Sequence, residues 1–174
     1  MTDQKNNILE VRDLVVDFPI FGGIMQRRVN SVHAVRRVSF DLIKGETLGI
    51  VGESGSGKTS LVLAILKLIS SSGKINFKDT DLNQIKKNQL KNIRKDIQIV
   101  FQDPFSSLSP RMNVYEILSE GIDVHFPSFS EVEKKEMIKN ILSETGMNFE
   151  RDHNKFPHEF SGGQRQIIAI SRAL

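Results

Sequence analysis

The sequence predicts an α/β fold in which a strand-rich core is followed by a helical insertion. Three observations carry that prediction. Ile8 to Phe18 and Val32 to Ile43 alternate between apolar and polar side chains, the pattern of half-buried strands. A short apolar run, Thr47 to Val51, passes through a glycine-rich loop into the strongly apolar stretch Leu61 to Ile69. Val114 to Gly146 then carries two stretches of amphipathic helical spacing, broken near HFPSFS.

Taken in order, the first strand ends at FPIFGGIMQRRVN, whose Pro, Gly pair and Arg pair predict a loop or flexible excursion. Val35, Val38, Phe40 and Leu42 supply the apolar face of the second strand. Lys44-Gly45-Glu46 is a turn, and Thr47 to Val51 reads as a buried strand. Leu61 to Ile69 reads as a buried helix stopped by Ser70-Ser71-Ser72-Gly73. Lys74 to Phe77 predicts a short strand. Asp79 to Asp96 predicts a surface helix, with Leu82, Ile85, Leu90 and Ile93 at helical spacing. Ile97 to Phe101 reads as another buried strand. Ser130 with Glu133 has the spacing of a capping box, and a last helix is expected from Gly162 to the end of the chain.

Composition narrows the function. The 174 residues suffice for one domain with a sizeable core, at 39% hydrophobic and 26% charged. With 24 basic and 21 acidic residues the net charge is only +3, a mixed solvated surface and not a nucleic-acid stripe. Such a surface tolerates an anionic membrane leaflet. Cysteine is absent, which excludes disulfides and thiolate metal sites. The N-terminus lacks the apolar core of a signal peptide, and no run approaches ~18 consecutive apolar residues. His125, His153 and His158 have no metal-like spacing, and His158 is placed to support the following loop by packing.

Gly52-Glu53-Ser54-Gly55-Ser56-Gly57-Lys58-Thr59 matches G-x-x-x-x-G-K-[ST] at every fixed position. The residue types suit a triphosphate. Gly55 and Gly57 let the loop curl so that successive backbone N–H groups point inward. The loop enters a helix whose positive end faces the phosphates. Lys58 sets an ammonium against the β- and γ-phosphates, the Thr59 hydroxyl is placed to ligate Mg²⁺, and Ser60 adds a contact along the phosphate chain. Strand, loop and apolar helix come in the required order. Since several NTPase classes share this loop, a second motif must decide among them.

About a hundred residues later lies Phe160-Ser161-Gly162-Gly163-Gln164-Arg165-Gln166. Its serine hydroxyl and two unobstructed glycine N–H groups at a helix start form another anion site. Here the chain resembles the ABC ATPase family, whose signature is usually LSGGQ; Phe160 stands for the usual Leu and, being apolar, is expected to pack alike. The resemblance implies a P-loop NTPase core with an N-terminal antiparallel β-subdomain and an inserted helical subdomain. It divides the chain into a β-subdomain and P-loop core (1–102), a helical insertion (103–157), and the signature with the start of its helix (158–174).

The resemblance also implies that Ser161, Gly162, Gly163 and Gln164 contact the γ-phosphate held by an opposite subunit, so that two ATPs are sandwiched between two domains. Gln102 in IVFQDP matches the family's Q-loop glutamine, which reaches Mg²⁺ and the attacking water and joins the core to the insertion. Phe18 matches the aromatic that stacks on adenine, with His33 as a competitor for that face. Lys58 and Gln102 are the residues to which it gives catalytic roles, with ATP and Mg²⁺ as cofactors.

Within the family the chain is similar to the oligopeptide and dipeptide importer branch, in GETLGIVGESGSGKT, FQDPFSSLSPRMNV, FPHEFSGGQRQ and the long basic excursion between the first two strands. LKLISSSGKINF is especially similar to the second half of the fused ATPases of microcin C type peptide importers. Ile167 replaces an Arg usual in the family and removes a charge near the signature helix.

The implied function is an ATPase subunit powering import of peptides or related solutes, at the cytoplasmic face of the inner membrane. The implied partners are a second nucleotide-binding domain, two membrane permease subunits and, indirectly, an extracytoplasmic solute-binding protein. A soluble ABC ATPase acting on nucleic acid or ribosomes is the alternative; zinc modules, coiled coils or basic arms would mark it. A small P-loop kinase or GTPase would leave the Ser161–Gln164 element unexplained. The family pattern continues past SRAL with a strand ending in Asp-Glu, so Leu174 is expected to be a truncation point. Residues 1–174 alone are then expected to bind ATP poorly, to hydrolyse it negligibly and to leave an open sheet edge.

Overall fold

A computed structural model describes residues 6–22, 27–103 and 107–174. The chain divides into two compact units, Met1–Leu90 and Lys91–Leu174. The first unit carries a four-stranded antiparallel sheet in the order β2-β1-β3-β4, from β1 (Asn7–Gly22), β2 (Arg27–Ile43), β3 (Ser72–Phe77) and β4 (Thr80–Asp81), together with α1 (Lys58–Ile65). Helix α2 (Lys87–Asp96) spans the boundary.

The core of the first unit follows the period of two. Leu9, Val11, Leu14 and Val16 are buried along β1, and Val35, Ile75 and Phe77 come from its neighbours. The step of three from Val11 to Leu14 is a bulge: the β1–β2 register shifts there, and Asp13 turns left-handed at φ 47°. The extra residue lets two apolar pairs of odd spacing share one face. Leu61, Ala64 and Ile65 of α1 are also buried.

Four expectations change. The excursion FPIFGGIMQRRVN is no loop where it is described. Cross-strand partners continue through Ile20↔Asn30, Phe21↔Arg28 and Gly22↔Arg27, so the segment is a two-stranded ribbon. Residues 23–26 lie outside the described residues. The helix expected over Leu61 to Ile69 ends at Ile65, and Lys67 is left-handed at φ 54°. The surface helix expected from Asp79 begins only at Lys87, because Thr80–Asp81 pairs with β3. Finally, Thr47 to Val51 and Ile97 to Phe101 form no strand. A strand is a paired object whose N–H and C=O groups need a neighbour. Neither segment joins the sheet formed by the described residues, and Leu48, Ile50, Val51, Val100 and Phe101 are exposed, Val51 by 92%.

The second unit is helical: α3 (Val114–His125), α4 (Glu131–Glu144), a short α5 (Phe149–Asp152), a 3-10 turn (Pro157–Glu159) and α6 (Gly162–Ser171). Val114, Ile117, Leu118 and Ile122 repeat at helical spacing and pack with Ile138, Leu142, Phe149, Phe160 and Ile168 in one buried cluster. Two capping boxes start the long helices: Ser130 with Glu133, as the spacing predicts, and Asn113 with Glu116. The backbone N–H groups of Val114 and Tyr115 donate to the carbonyls of Lys155 and His153, so the 153–155 turn satisfies orphan donors of α3.

Candidate phosphate-binding loops

Gly57 is the N-cap of α1 with φ 93°, and Gly55 has φ 81°, so the curl expected of these glycines is present. At Gly57 glycine is obligatory on steric grounds as well. A Cβ there would lie 2.0 Å from the Ala34 carbonyl oxygen of β2. The strand thus braces the loop at the point where it turns into the helix. No side chain caps α1 and no acidic residue sits in its first turn, so its positive end stays open to an anion. Lys58 Nζ donates to the carbonyls of Gly52 (2.8 Å) and Glu53 (2.6 Å). Ser54 and Ser56 are exposed along the same loop; Thr59 is exposed and Ser60 half-buried in the first turn of α1.

A groove of about 470 Å³ runs beside this loop. His33, Ala34, Val35 and Arg36 of β2 line it together with Gly55 to Lys58. Phe18 sits next along β1, opposite Val32, 42% exposed and outside the lining of this groove. His33 bonds Asp17 across the ladder, Nδ1 to Oδ1 at 2.6 Å. Asp17 was invisible to motif reading, because a carboxylate in an alternating strand reads as a solvated face.

In the second unit Ser161 is the N-cap of α6. Its Oγ accepts from the Gln164 N–H at 3.3 Å, while Gln164 Oε1 accepts from the Ser161 N–H at 3.0 Å. This reciprocal box shapes the loop and leaves the Ser161 hydroxyl proton free to donate. A Cβ on Gly162 or Gly163 would meet nothing within 4 Å, so open space surrounds both backbones. Phe160, 5% exposed, anchors the loop in the buried cluster, and Ile167 packs against the same cluster. Gln102 is exposed in the second unit.

The loop before α6 has two supports that motif reading missed. Arg165 Nε donates to the Pro157 carbonyl at 2.6 Å, and its Nη2 reaches that of His158 at 3.4 Å. His158, which the sequence already placed as a packing support of this loop, stacks on Phe156. Upstream, Asp152 is 1% exposed yet ionised among donors: Arg151 Nε and Nη2 at 2.9 and 2.7 Å, Lys155 Nζ at 3.0 Å, and the Asn148 N–H at 3.2 Å. The Arg151 guanidinium, against the opposing effect of burial, holds this carboxyl well below the usual range, with help from Lys155. Lys134 is raised by Asp123 and Glu131 in the same way. No group of three or more His, Cys, Asp or Glu residues poised for a metal occurs among the described residues.

Comparison with known proteins supplies the context. The sequence profile of the family described as "ABC transporter" matches residues 35–174. Over its whole length the chain is 47% identical to the uncharacterized ABC transporter ATP-binding protein YejF of Escherichia coli K12, covering 33% of that protein. It is 45% identical to the oligopeptide transport ATP-binding protein AppF of Bacillus subtilis, covering 98% of this chain and 52% of that protein. The chain therefore spans about a third to a half of these relatives. Among solved structures, the ATP-binding cassette MJ0796 bound to ADP and Pi as a dimer superposes with a TM-score of 0.77 at 25% identity, over 95% of this chain and 68% of that one.

Proposed function

Since the chain belongs to the ABC transporter family, we propose that it is an ATP-binding cassette that powers import of peptides or related small solutes. The observation that carries this reading is the presence in one chain of two open anion cradles of different build. One is a phosphate loop braced by β2 and supplied with Lys58. The other is a serine-capped helix start with two unobstructed glycines.

In this reading Gly52 to Thr59 and Ser60 bind the triphosphate of ATP, with Lys58 against the β- and γ-phosphates. Ser161, Gly162, Gly163 and Gln164 meet the γ-phosphate held by a second nucleotide-binding domain. The exposed hydroxyl of Thr59 and amide oxygen of Gln102 are the hard oxygen donors that suit Mg²⁺, which would offset phosphate charge. Gln102 would also orient the attacking water. Phe18 remains a candidate for stacking on adenine. Closure of two such domains drives rearrangement of two permease subunits, and hydrolysis reopens them.

Relatives named for oligopeptide transport and glutathione import favour peptide-like cargo, and they favour transport over work on nucleic acid. None of the described helices is long and apolar enough to cross a membrane. We place the chain at the cytoplasmic face of the inner membrane through its permease subunits, with a solute-binding protein on the far side.

Residues 1–174 contain no cysteine, and the test uses a background in which any cysteine outside them is replaced by serine. In a Ser54→Cys, Ser161→Cys double variant of the full-length protein, ATP is expected to promote a disulfide between subunits, seen as a reducible dimer on a gel. Lys58→Ala should abolish that promotion. A dimer band that ignores ATP would overturn the two-cradle reading.

A further inference from the structure

The phosphate loop leaves one wall of its groove to β2, and that wall holds a polar pair with no part in gripping phosphate. Asp17 and His33 face each other across the β1–β2 ladder, bonded through Nδ1 and Oδ1 at 2.6 Å. An ionised carboxylate only accepts hydrogen bonds, so in the neutral ring the proton sits on Nδ1 and Nε2 is an acceptor. The His33 side chain keeps 53% exposure and lines the groove that also takes in Gly55, Ser56, Gly57 and Lys58. The apolar residues Ala34, Val35 and Val38 line the same groove, a surface suited to the flat face of a base.

We propose that His33, its tautomer fixed by Asp17, reads the base of the bound nucleotide by accepting a hydrogen bond from the exocyclic amine of adenine. The inference rests on the nucleotide-binding reading above and adds specificity to it. Guanine carries a carbonyl oxygen where adenine carries that amine. Two acceptors then face each other, and the pair discriminates against guanine. Asp17 is the positioning residue: without it the ring proton is free to move to Nε2, and the preference is lost.

Calorimetric titration of the full-length protein with ATP and with GTP tests this. His33→Leu is expected to weaken ATP binding by about three- to tenfold, the worth of one hydrogen bond, and, by removing the facing acceptor, to hold or tighten GTP binding. His33→Gln, whose amide oxygen restores an acceptor, should recover part of the adenine preference. Asp17→Ala should lower the preference by a smaller factor. An unchanged ATP-to-GTP ratio in His33→Leu would overturn the inference while leaving nucleotide binding intact. Wild-type protein that binds neither nucleotide would instead overturn the nucleotide reading itself, and this inference with it; Lys58→Ala is the control for that outcome.

Discussion

Gly57 and Gly163 both stand at the start of a helix, yet a methyl group added to each meets different surroundings. At Gly57 it strikes the Ala34 carbonyl at 2.0 Å from a backbone already left-handed at φ 93°. At Gly163 it meets nothing within 4 Å. In the first loop glycine is a condition of the backbone path. In the second the path is set by the Ser161–Gln164 capping box, by Arg165 on the carbonyls of Pro157 and His158, and by Phe160 in the core. Glycine there leaves the backbone open to a ligand. One residue type serves shape in one loop and access in the other.

The sharpest break of this comparison is Gly57→Ala, which should reduce ATP affinity at least ~100-fold by displacing the loop from β2; equilibrium binding of a fluorescent ATP analogue reads it. Next comes the support of the second loop. Asp152→Ala leaves Arg151, Lys155 and the Asn148 N–H without their shared acceptor and, because both cations remain open to solvent, should cost about 1–3 kcal/mol in urea unfolding. The carboxyl also carries a pH signature. Its pKa is lowered in the folded state, so its stabilisation is complete above the ordinary value of 3.8 and drains away as pH falls below it. The wild type should lose more stability than Asp152→Asn in that acid range. Ser161→Ala removes the cap and should cost about 1 kcal/mol. Gly163→Ala is the mildest and the most telling. Alanine suits a helix better by roughly 0.5–1 kcal/mol, so the melting temperature should hold or rise. The ATP-promoted dimer should nonetheless weaken.

Much of this was legible in the sequence, for reasons that differ between elements. The phosphate loop and the capping box at Ser130 are local codes, complete within a few residues; the Ser161–Gln164 box is coded just as locally, but motif reading missed it. The box at Asn113 and Glu116 carries the same spacing and could have been read as well. Thr47 to Val51 and Ile97 to Phe101 misled because apolar content predicts burial, while strand formation needs a neighbouring ladder that no local pattern supplies. The ribbon past Phe18 misled in the opposite sense: Pro and Gly punctuation masked pairing that continues to Gly22 and Arg27. Asp152 and Arg165 were illegible as supports, since a charged residue in a polar stretch gives no sign of the carbonyls and cations it will meet.

Lys58 has a consequence for affinity. Its ammonium already satisfies the carbonyls of Gly52 and Glu53. An arriving phosphate therefore competes with the loop's own oxygens for the same cation, and what is measured as binding is the margin between two occupied states. Weakening the internal tie, by shifting those carbonyls and not by adding charge, should tighten the grip on nucleotide.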